Sequence, residues 1–501
     1  MHQTFPLQGV IGIVANSAEE VGEAVALNLQ CIEVRADLLL SAGHSEQALL
    51  NIVRDGARAG LKVLFTLRHP THQGTFGGSE DERIALNQRA LAAGAHIVDA
   101  ELGTPCADAL IAAGAPVVLS HHDFSGMPDE TELTELTVRM RASGAAALKL
   151  VPTAATLADG ARMLRWVEER AATDAPRIGF AMGAAGASSR ILTIAYGAPI
   201  TYASFGASVA PGQVPIAELL EIYKAADLNA ATRVYGIVGS HALTSFSPFL
   251  HNLGFHPRGT NAVYVPLQTE SFEDALDILD TLRIDGVSVT TPFKEEALAA
   301  ADGVDDRSTA CGASNTLLVQ RDGADRRLHA FNTDFDGVLL PIQSHRPIAG
   351  LKIAIMGNGG AARGAVQALK SGGASLTLFY RNAARGQPVA DEFGITGALL
   401  ADIDESFDVY INATTLGTDA GDPSPVPSDV FARSDQIAFE MLYQNPNSQF
   451  VQDAEAAGVR IIRGAEMLVA QGTVQFEHFT GALPGLDEFA GHFAAGQRLR
   501  F

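Results

Sequence analysis

The chain has 501 residues and a formal net charge of −22, and 47% of its residues are apolar. This length predicts two to four domains, and the apolar content is enough for each domain to have a core of its own. The net negative charge disfavours nucleic acid and anionic membrane as partners. No apolar run approaches the roughly 20 residues that span a bilayer. The start of the sequence lacks an export signal. Three scattered cysteines predict neither a disulfide framework nor a metal site, and they fit a reducing cytoplasm.

Eight short apolar segments recur through the first half of the chain, separated by alanine- and leucine-rich stretches of helical character. Buried strands that alternate with helices eight times favour a (β/α)8 barrel over other α/β arrangements. We predict that this barrel covers residues 1–228. Its predicted strands are 10–15, 31–36, 62–68, 96–102, 117–122, 147–151, 178–183 and 200–205.

Polar residues lie late in these strands, at the rim where barrel enzymes place their chemistry. Lys149 is the most informative, because only six of the 35 lysines and arginines are lysines. Lysine, unlike arginine, can act as a neutral amine when it is desolvated, and such an amine can form an imine with a ketone. His122, at the end of the preceding strand, is a candidate general acid and base. The other polar residues at the rim are Glu33, Arg35, Arg68, Glu101 and His121.

Residues 1 to about 225 resemble type I 3-dehydroquinate dehydratase, on the motifs EVRAD (33–37), FTLR (65–68), SHHDF (120–124), LKL (148–150), MGAAGASSR (182–190) and APGQ (210–213). The resemblance implies an imine between Lys149 and the substrate ketone. It implies that His122 removes the adjacent proton and then protonates the departing hydroxyl. It also implies that the substrate's hydroxyls and carboxylate are bound by Glu33, Arg35, Arg68, Arg190 and Gln213. Bidentate guanidinium–carboxylate contacts explain how an acidic chain binds an acid.

Two positions depart from this family. His72, followed by Gln73, stands where the family usually has a glutamate near the catalytic histidine. Val209, beside Ser208, stands where the family usually has a serine. Loss of a carboxylate lowers the pKa of a neighbouring histidine and weakens its orientation, so we expect a dehydratase activity that survives at a reduced rate.

The strand pattern restarts twice in the second half of the chain. The first restart follows a predicted last barrel helix and connector over 215–232, and the second is LKIAIMGNGGAARGAV (351–366). We therefore predict a substrate-binding domain over 233–340, completed by 465–501. A Rossmann-type dinucleotide domain is predicted over 345–464.

Glycines between a strand and a helix predict the cofactor site. Gly357, Gly359 and Ala362 fit the fingerprint G-x-G-x-x-A, whose glycines permit close approach of a pyrophosphate to the helix N-terminus. The next strand is followed by Arg381 and Arg385, without the acidic residue that typically binds the ribose of NAD. Two guanidiniums suit a 2′-phosphate, so NADP is the predicted cofactor; a solvated arginine pair is the alternative.

A second lysine indicates the reaction. Thr290 and Lys294 lie where a predicted strand runs into a helix, with Asn315 and Asp334 downstream. A lysine near an aspartate can assist protonation of a carbonyl oxygen while a hydride arrives at the carbon. The pattern predicts an NADP-linked reduction of a polar ketone.

Residues 234–501 resemble shikimate dehydrogenase, on the motifs SFSP (245–248), SVTTPFKE (288–295), ASNT (313–316), NTD (332–334), GNGGAAR (357–363), NAT (412–414), EMLYQNP (440–446) and GAEMLVAQGTVQFEHFTG (464–481). The resemblance implies that Lys294 and Asp334 are the catalytic pair. It implies that shikimate is bound by Ser245, Ser247, Ser288, Thr290, Asn315, Tyr443 and Gln471. It implies that NADP contacts Gly357, Asn358, Gly359, Gly360, Ala361, Arg381, Asn382, Arg385, Met441 and Gly464. Ser288 replaces the asparagine of many bacterial members and keeps a hydroxyl, and Tyr380-Arg381-Asn382 replaces the usual Asn-Arg-Thr and keeps the arginine.

Together the two resemblances imply a fused enzyme of the shikimate pathway, on the route to chorismate and the aromatic amino acids. One site would dehydrate 3-dehydroquinate to 3-dehydroshikimate, and the other would reduce that product to shikimate. The first alternative is a quinate/shikimate dehydrogenase with a degenerate dehydratase half, which His72 and Val209 motivate. The second is a non-catalytic metabolite-sensing regulator, which the retention of both lysines disfavours.

Overall fold

The computed structural model describes residues 5–206, 213–323, 325–419, 421–442 and 445–500. The chain divides into two compact units, the first comprising residues up to 248 with 259–284, and the second comprising 249–258 with the residues from 285 onwards. The domain bounds stay a prediction; they are 1–228, 233–340 with 465–501, and 345–464. Among the helices in the described ranges, none is both long and apolar enough to cross a membrane.

Eight parallel strands form the main sheet of the first unit, which confirms the predicted α/β barrel. They pair in chain order from the first to the seventh, and the eighth returns to pair with the first, so the barrel is nearly closed. Their positions agree with the predicted segments, although the seventh is shorter than predicted. The strands are β1 (Gly9–Val14), β2 (Cys31–Arg35), β3 (Lys62–Thr66), β4 (Ile97–Glu101), β5 (Val117–Asp123), β6 (Ala147–Pro152), β7 (Arg177–Gly179) and β8 (Ile200–Ser204).

Helices connect these strands, and several begin at a side chain that caps them. Ser79, Asp129 and Thr156 each accept a hydrogen bond from a backbone N–H of the first turn, as N-cap residues do. The helices are α1 (Glu19–Ala26), α2 (Ala36–Ser41), α3 (Glu46–Arg58), α4 (Glu80–Ala93), α5 (Pro105–Ala112), α6 (Glu130–Ala142), α7 (Leu157–Glu168) and α8 (Ala187–Leu192). Over 215–232, where we predicted a last helix and a connector, a helical segment does lie, but it is π-helical over Glu218–Ile222 and is followed by a 3₁₀ turn, Ala225–Asp227.

The interior of the barrel changes from apolar to polar along the strands. Five buried residues near the strand starts belong to one apolar cluster: Cys31, Leu64, Ile97, Val118 and Ala147. Two residues further along the same strands lie Glu33, Thr66, Asp99, Ser120 and Lys149, all of them buried. Because side chains alternate with a period of two, both sets point to the same side of the sheet. A polar layer therefore lies on top of the apolar one, towards the C-terminal rim.

The first unit also contains a small parallel pair, β9 (Arg233–Gly239) and β10 (Ala262–Gln268), and the helix α10 (Phe272–Thr281). This helix packs against α7 of the barrel. The Asp274 carboxylate accepts hydrogen bonds from the backbone N–H groups of Leu157 and Ala158, at 2.8 and 3.2 Å. A carboxylate at a helix N-terminus is favourable because it neutralises the free amides and the dipole there.

The second unit begins with a mixed sheet. Its strands β11 (Ile284–Val289), β13 (Thr316–Asp322) and β14 (Asp325–Phe331) pair antiparallel, and β12 (Gly303–Val304) pairs parallel to β14. The helix α9 (Ser247–Phe255) spans the position at which the two units divide. The other helices of this part are α11 (Lys294–Ala299), α12 (Asp306–Cys311) and α13 (Asp334–Gln343).

A six-stranded parallel sheet follows, in the order β17-β16-β15-β18-β19-β20. The strand order reverses at β15, and sheets of this kind bind ligands at such a reversal. The predicted Rossmann-type fold is therefore confirmed. The strands are β15 (Lys352–Met356), β16 (Ser375–Tyr380), β17 (Thr396–Leu399), β18 (Val409–Asn412), β19 (Ile437–Glu440) and β20 (Arg460–Ile462); the helices are α14 (Gly360–Ser371), α15 (Ala383–Phe393), α16 (Gln449–Ala456), α17 (Gly464–Thr480) and α18 (Leu486–Arg500).

Candidate active sites

Lys149 lies at the centre of the polar layer of the barrel. Its Nζ is 3.2 Å from Asp99 Oδ2 and 3.9 Å from Glu33 Oε1, and it lies 4.3 Å from the centre of the Tyr202 ring. The amine is buried, as the sequence predicted. The sequence also suggested that desolvation would allow a neutral amine; the structure places two carboxylates within salt-bridge distance of it.

Hydroxyl groups hold both carboxylates in place. Ser120 donates to Asp99 at 2.6 Å, and Thr66 donates to Glu33 at 2.7 Å. Burial raises the pKa of Asp99, but attraction to Lys149 and Arg68 outweighs burial, and the pKa of this carboxyl lies below its ordinary value. Asp99 is therefore an anion beside the amine.

His122 lies at the end of β5, in the same cavity. Its ring stacks on Phe124 with 6.3 Å between the ring centres. Burial, followed by repulsion from Arg68 and Lys149, lowers the pKa of His122 well below its ordinary value. The imidazole is therefore neutral at pH 7 and can act as a base.

Three guanidiniums surround the amine and the imidazole. Arg35 is held by two hydrogen bonds to Asp37, both of 2.9 Å. Arg190 lies over the Phe180 ring at 4.2 Å, and burial lowers its pKa to about 10. A single cavity is lined by all seven predicted barrel residues, namely Glu33, Arg35, Arg68, His122, Lys149, Arg190 and Gln213.

Several buried polar atoms of this cavity have no hydrogen-bond partner among the described residues. They are Arg68 Nε, His122 Nδ1, Arg190 Nε and Tyr202 Oη. Burying such groups without a partner costs about 1–3 kcal/mol each. Their convergence in one cavity indicates a ligand that carries a carboxylate and several hydroxyls.

The sequence did not single out Asp99, Thr66, Ser120 or Tyr202. The sequence feature that could have identified Asp99 and Ser120 is the alternation of side chains along a strand. This period of two puts both residues on the side of the sheet that Lys149 faces. Glu101, which the sequence did place at the rim, forms a buried ion pair with Arg83. Val209 lies outside the described residues.

Lys294 and Asp334 meet in the second unit, at the starts of α11 and α13. Lys294 Nζ is 2.5 Å from Asp334 Oδ2, and both side chains are partly open to solvent. The Asn315 amide donates to Asp334 Oδ1 at 3.0 Å and to Gln471 Oε1 at 3.1 Å. Thr333 N–H in turn donates to Asn315 Oδ1 at 2.9 Å. The structure thus brings together the two predicted catalytic residues and two of the predicted substrate-binding residues.

The remaining predicted shikimate-binding residues are less closely grouped. Ser288 is buried and donates its hydroxyl to Gln475 Oε1 at 3.0 Å. Thr290 directly follows β11 and is partly exposed. Ser245 and Ser247 belong to the first unit, where Ser247 N–H donates to Ser245 Oγ at 3.1 Å. Tyr443 lies outside the described residues.

A cavity at the strand-order reversal contains the predicted cofactor residues. Gly357 has φ +112°, and a Cβ atom there would lie 2.8 Å from Ala413 O, so only glycine fits this turn. Arg381 and Arg385 are exposed at the same cavity, and no acidic side chain is among its described lining residues. The glycine turn and the two guanidiniums fit a dinucleotide with a 2′-phosphate. Asn358, Gly359 and Asn382 also line the cavity.

The other predicted cofactor residues lie at the starts of two helices and directly after a strand of the same sheet. Gly360 and Ala361 form the first turn of α14. A Cβ atom on Gly464 would lie 2.8 Å from Met441 O, so α17 begins in close contact with the residues after β19. Glu440, which the sequence did not single out, is buried there. It accepts hydrogen bonds from Asn412, Ser448 and Leu442 N–H, at 2.9, 2.8 and 3.1 Å.

Comparison with known families assigns both parts of the chain. Residues 11–230 match the model for type I 3-dehydroquinase, and residues 237–317 match the model for the shikimate dehydrogenase substrate-binding domain.

Individual relatives extend these matches. The chain is 30% identical over 488 residues to the chloroplastic bifunctional 3-dehydroquinate dehydratase/shikimate dehydrogenase of Arabidopsis thaliana, covering 92% of this chain and 79% of the relative. It is 36% identical over 269 residues to the NADP⁺ shikimate dehydrogenase of Caulobacter vibrioides, covering 51% of this chain and 93% of the relative. A crystal structure of Thermus thermophilus shikimate 5-dehydrogenase with NADP(H) and shikimate is 29% identical, with a TM-score of 0.48 and coverage of 53% of this chain and 100% of that one.

Proposed function

The chain belongs to the family of bifunctional 3-dehydroquinate dehydratase/shikimate dehydrogenases, and on that premise we propose the chemistry of its two sites. The barrel dehydrates 3-dehydroquinate to 3-dehydroshikimate. The second site reduces 3-dehydroshikimate to shikimate with NADPH. The observation that carries the proposal is the buried Lys149 amine, which shares one cavity with a neutral imidazole and three guanidiniums.

In the barrel, Lys149 Nζ attacks the substrate ketone after giving its proton to a base. Asp99 is placed to accept that proton, at 3.2 Å. The carbonyl oxygen leaves as water and an imine forms, which makes the adjacent C–H more acidic. His122 removes that proton and then delivers it to the hydroxyl that departs, so one neutral imidazole serves as base and acid in turn.

Arginines hold the substrate during these steps. Arg35, Arg68 and Arg190 line the cavity, and their guanidiniums suit a carboxylate and ring hydroxyls. The Asp37 carboxylate keeps Arg35 in one orientation. Positioning of this kind lowers the activation free energy because the substrate is bound close to the reactive geometry.

In the second site, Lys294 protonates the carbonyl oxygen that becomes the new hydroxyl. NADPH, when bound, supplies the hydride. Asp334, 2.5 Å from the ammonium, keeps Lys294 in place, and Asn315 orients Asp334 from its other oxygen. Arg381 and Arg385 are proposed to bind the 2′-phosphate and so to select NADPH over NADH.

The two alternatives have less support. A degenerate dehydratase half is disfavoured because the amine, the imidazole and the arginines occupy a common cavity. A non-catalytic regulator is disfavoured because both lysines keep a carboxylate partner. A side activity on quinate stays open, since quinate differs from shikimate by few ring groups.

We further propose that the chain acts on these small molecules in the cytoplasm. Its three cysteines, Cys31, Cys106 and Cys311, are free thiols, as in reducing compartments. Cell fractionation with an antibody to the chain tests the location.

A coupled assay tests both activities in one tube. The full chain is mixed with 3-dehydroquinate and NADPH, and the absorbance of NADPH is followed. We expect NADPH to be consumed from either 3-dehydroquinate or 3-dehydroshikimate. Consumption from 3-dehydroshikimate alone would contradict the dehydratase proposal, and consumption from neither would contradict the reductase proposal.

A further inference from the structure

His72 is a partly buried histidine that lies next to His122. The proposed mechanism gives His72 no role. It ends a 3₁₀ turn, Pro70–His72, that follows β3 and is capped by the side chain of His69. The turn places the His72 ring against β5, with its centre 6.1 Å from that of His122 and 5.7 Å from that of His121. Both contacts are edge-on, at 74° and 78°.

The environment keeps both the His72 and His122 rings neutral. Burial lowers the pKa of His72 to about 4, helped by repulsion from His121, Arg68 and His69 and opposed by Asp99. A neutral imidazole has one N–H donor and one acceptor nitrogen. His72 can therefore donate a hydrogen bond while it stays uncharged.

Both rings have a buried nitrogen that lacks a partner. His72 Nδ1 and His122 Nδ1 are each without a hydrogen bond to any described residue. At a centroid separation of 6.1 Å the two rings are too far apart for a direct N–H···N bond. One oxygen atom between them can contact both.

We infer that His72 is a further catalytic residue of the dehydratase half, which binds, together with His122, the oxygen atom that leaves the substrate as water. This inference rests on the proposed function. His122 takes the proton from the carbon beside the imine and becomes an imidazolium. It passes the same proton to the hydroxyl oxygen, the C–O bond breaks, and its electron pair leaves with the water. His72 donates a hydrogen bond to that oxygen throughout and keeps its own proton.

The hydrogen bond stabilises the partial negative charge that develops on the oxygen as the C–O bond breaks, while the proton is transferred from His122. A donor of this kind contributes most in the transition state. The expected effect is therefore on kcat, with little change in KM.

The test compares His72→Phe and His72→Asn in the full chain. Phenylalanine keeps the planar ring without a donor, and asparagine keeps a donor on a shorter side chain. We expect His72→Phe to lower the kcat of dehydration about 10- to 100-fold, and His72→Asn to retain most of the activity. His96→Phe, which replaces a histidine just before β4, at the end of the barrel away from the C-terminal rim, is the matched control and should leave kcat unchanged.

Two further measurements distinguish a loss of catalysis from a loss of the folded structure. Borohydride trapping with 3-dehydroquinate should label Lys149 equally in the wild-type chain and His72→Phe, because the imine forms before the hydroxyl leaves. The reduction of 3-dehydroshikimate should be the same in all variants, which confirms intact chains. A His72→Phe variant that dehydrates as fast as the wild type would overturn the inference, and so would equal losses in both His72 variants. A wild-type chain without dehydration would instead remove the proposed function and the inference together.

Discussion

Asp99 and Lys149 form an ion pair in the interior of the barrel, with 3.2 Å between Oδ2 and Nζ and almost no solvent exposure of either side chain. Removing one partner of such a pair leaves an uncompensated buried charge, which typically costs about 3–5 kcal/mol. Because Glu33 stays 3.9 Å from the amine, we expect Asp99→Ala to lower the free energy of unfolding of the barrel by less than that amount. The double variant Asp99→Ala/Lys149→Met should lose less than the sum of the two single variants.

Urea unfolding followed by tryptophan fluorescence measures this effect. The chain has a single tryptophan, Trp166, which is buried in α7, so the signal reports the barrel and not the second unit. The exposed pair Asp55 and Arg58, 3.6 Å apart, is the control and should show no measurable coupling. Additive effects at Asp99 and Lys149 would contradict the proposed pairing.

The barrel shows which parts of a site can be predicted from strand alternation. Alternating buried strands predicted the fold, and Lys149 and His122 stood out because of their chemistry. Asp99 and Glu101 lie two residues apart in one strand, so their side chains point to the same side of the sheet. The alternation along the strand therefore does not show which of the two contacts Lys149. Only the pairing of Glu101 with Arg83, on the preceding helix α4, leaves Asp99 as the partner of the amine.

The second half shows the limit of local motifs. Gly357 was predicted because a tight turn at a strand end has a sequence signature. Glu440 carries no such signature, since its role depends on Asn412, at the end of β18, and on Ser448, the N-cap residue of α16. The helix predicted within 215–232 is present, but its π-helical form could not be predicted because its composition is that of an ordinary helix.

Replacing either active-site lysine by arginine should remove one activity and spare the other. Arginine keeps the positive charge beside Asp99 or Asp334 but cannot give up its proton. We expect Lys149→Arg to abolish dehydration and the borohydride adduct. Lys294→Arg should lower the kcat of the reduction by about 10²–10⁴-fold. Each variant is the control for the other, and the loss of both activities in one variant would contradict two independent sites.

His251 makes the second unit sensitive to acid. The ring is buried among Phe476, Phe479 and Phe489, and burial lowers its pKa to about 3. The unfolded chain takes up a proton below about pH 6.5, whereas the folded chain does so only near pH 3. The stabilising contribution of the neutral ring is therefore complete above pH 6.5 and is lost as the pH falls towards 3.

We expect His251→Leu to flatten this dependence, by up to about 1.4 kcal/mol per pH unit between these limits. Urea unfolding at a series of pH values, followed by circular dichroism, measures both units. The Trp166 signal identifies the transition that belongs to the barrel. An unchanged pH dependence of the second transition would show that the folded chain protonates His251 at its ordinary pKa.

Arg381 and Arg385 are expected to set the preference for NADPH. A hydrogen bond to a charged group contributes about 1.5–3 kcal/mol, so the double variant Arg381→Ala/Arg385→Ala should raise the KM for NADPH about 10- to 100-fold. The KM for NADH, which lacks the 2′-phosphate, should stay nearly constant. Arg363→Ala is the matched control, because Arg363 is an exposed arginine of α14 that pairs with Glu392. Equal increases in KM for both cofactors would contradict recognition of the 2′-phosphate by these two arginines.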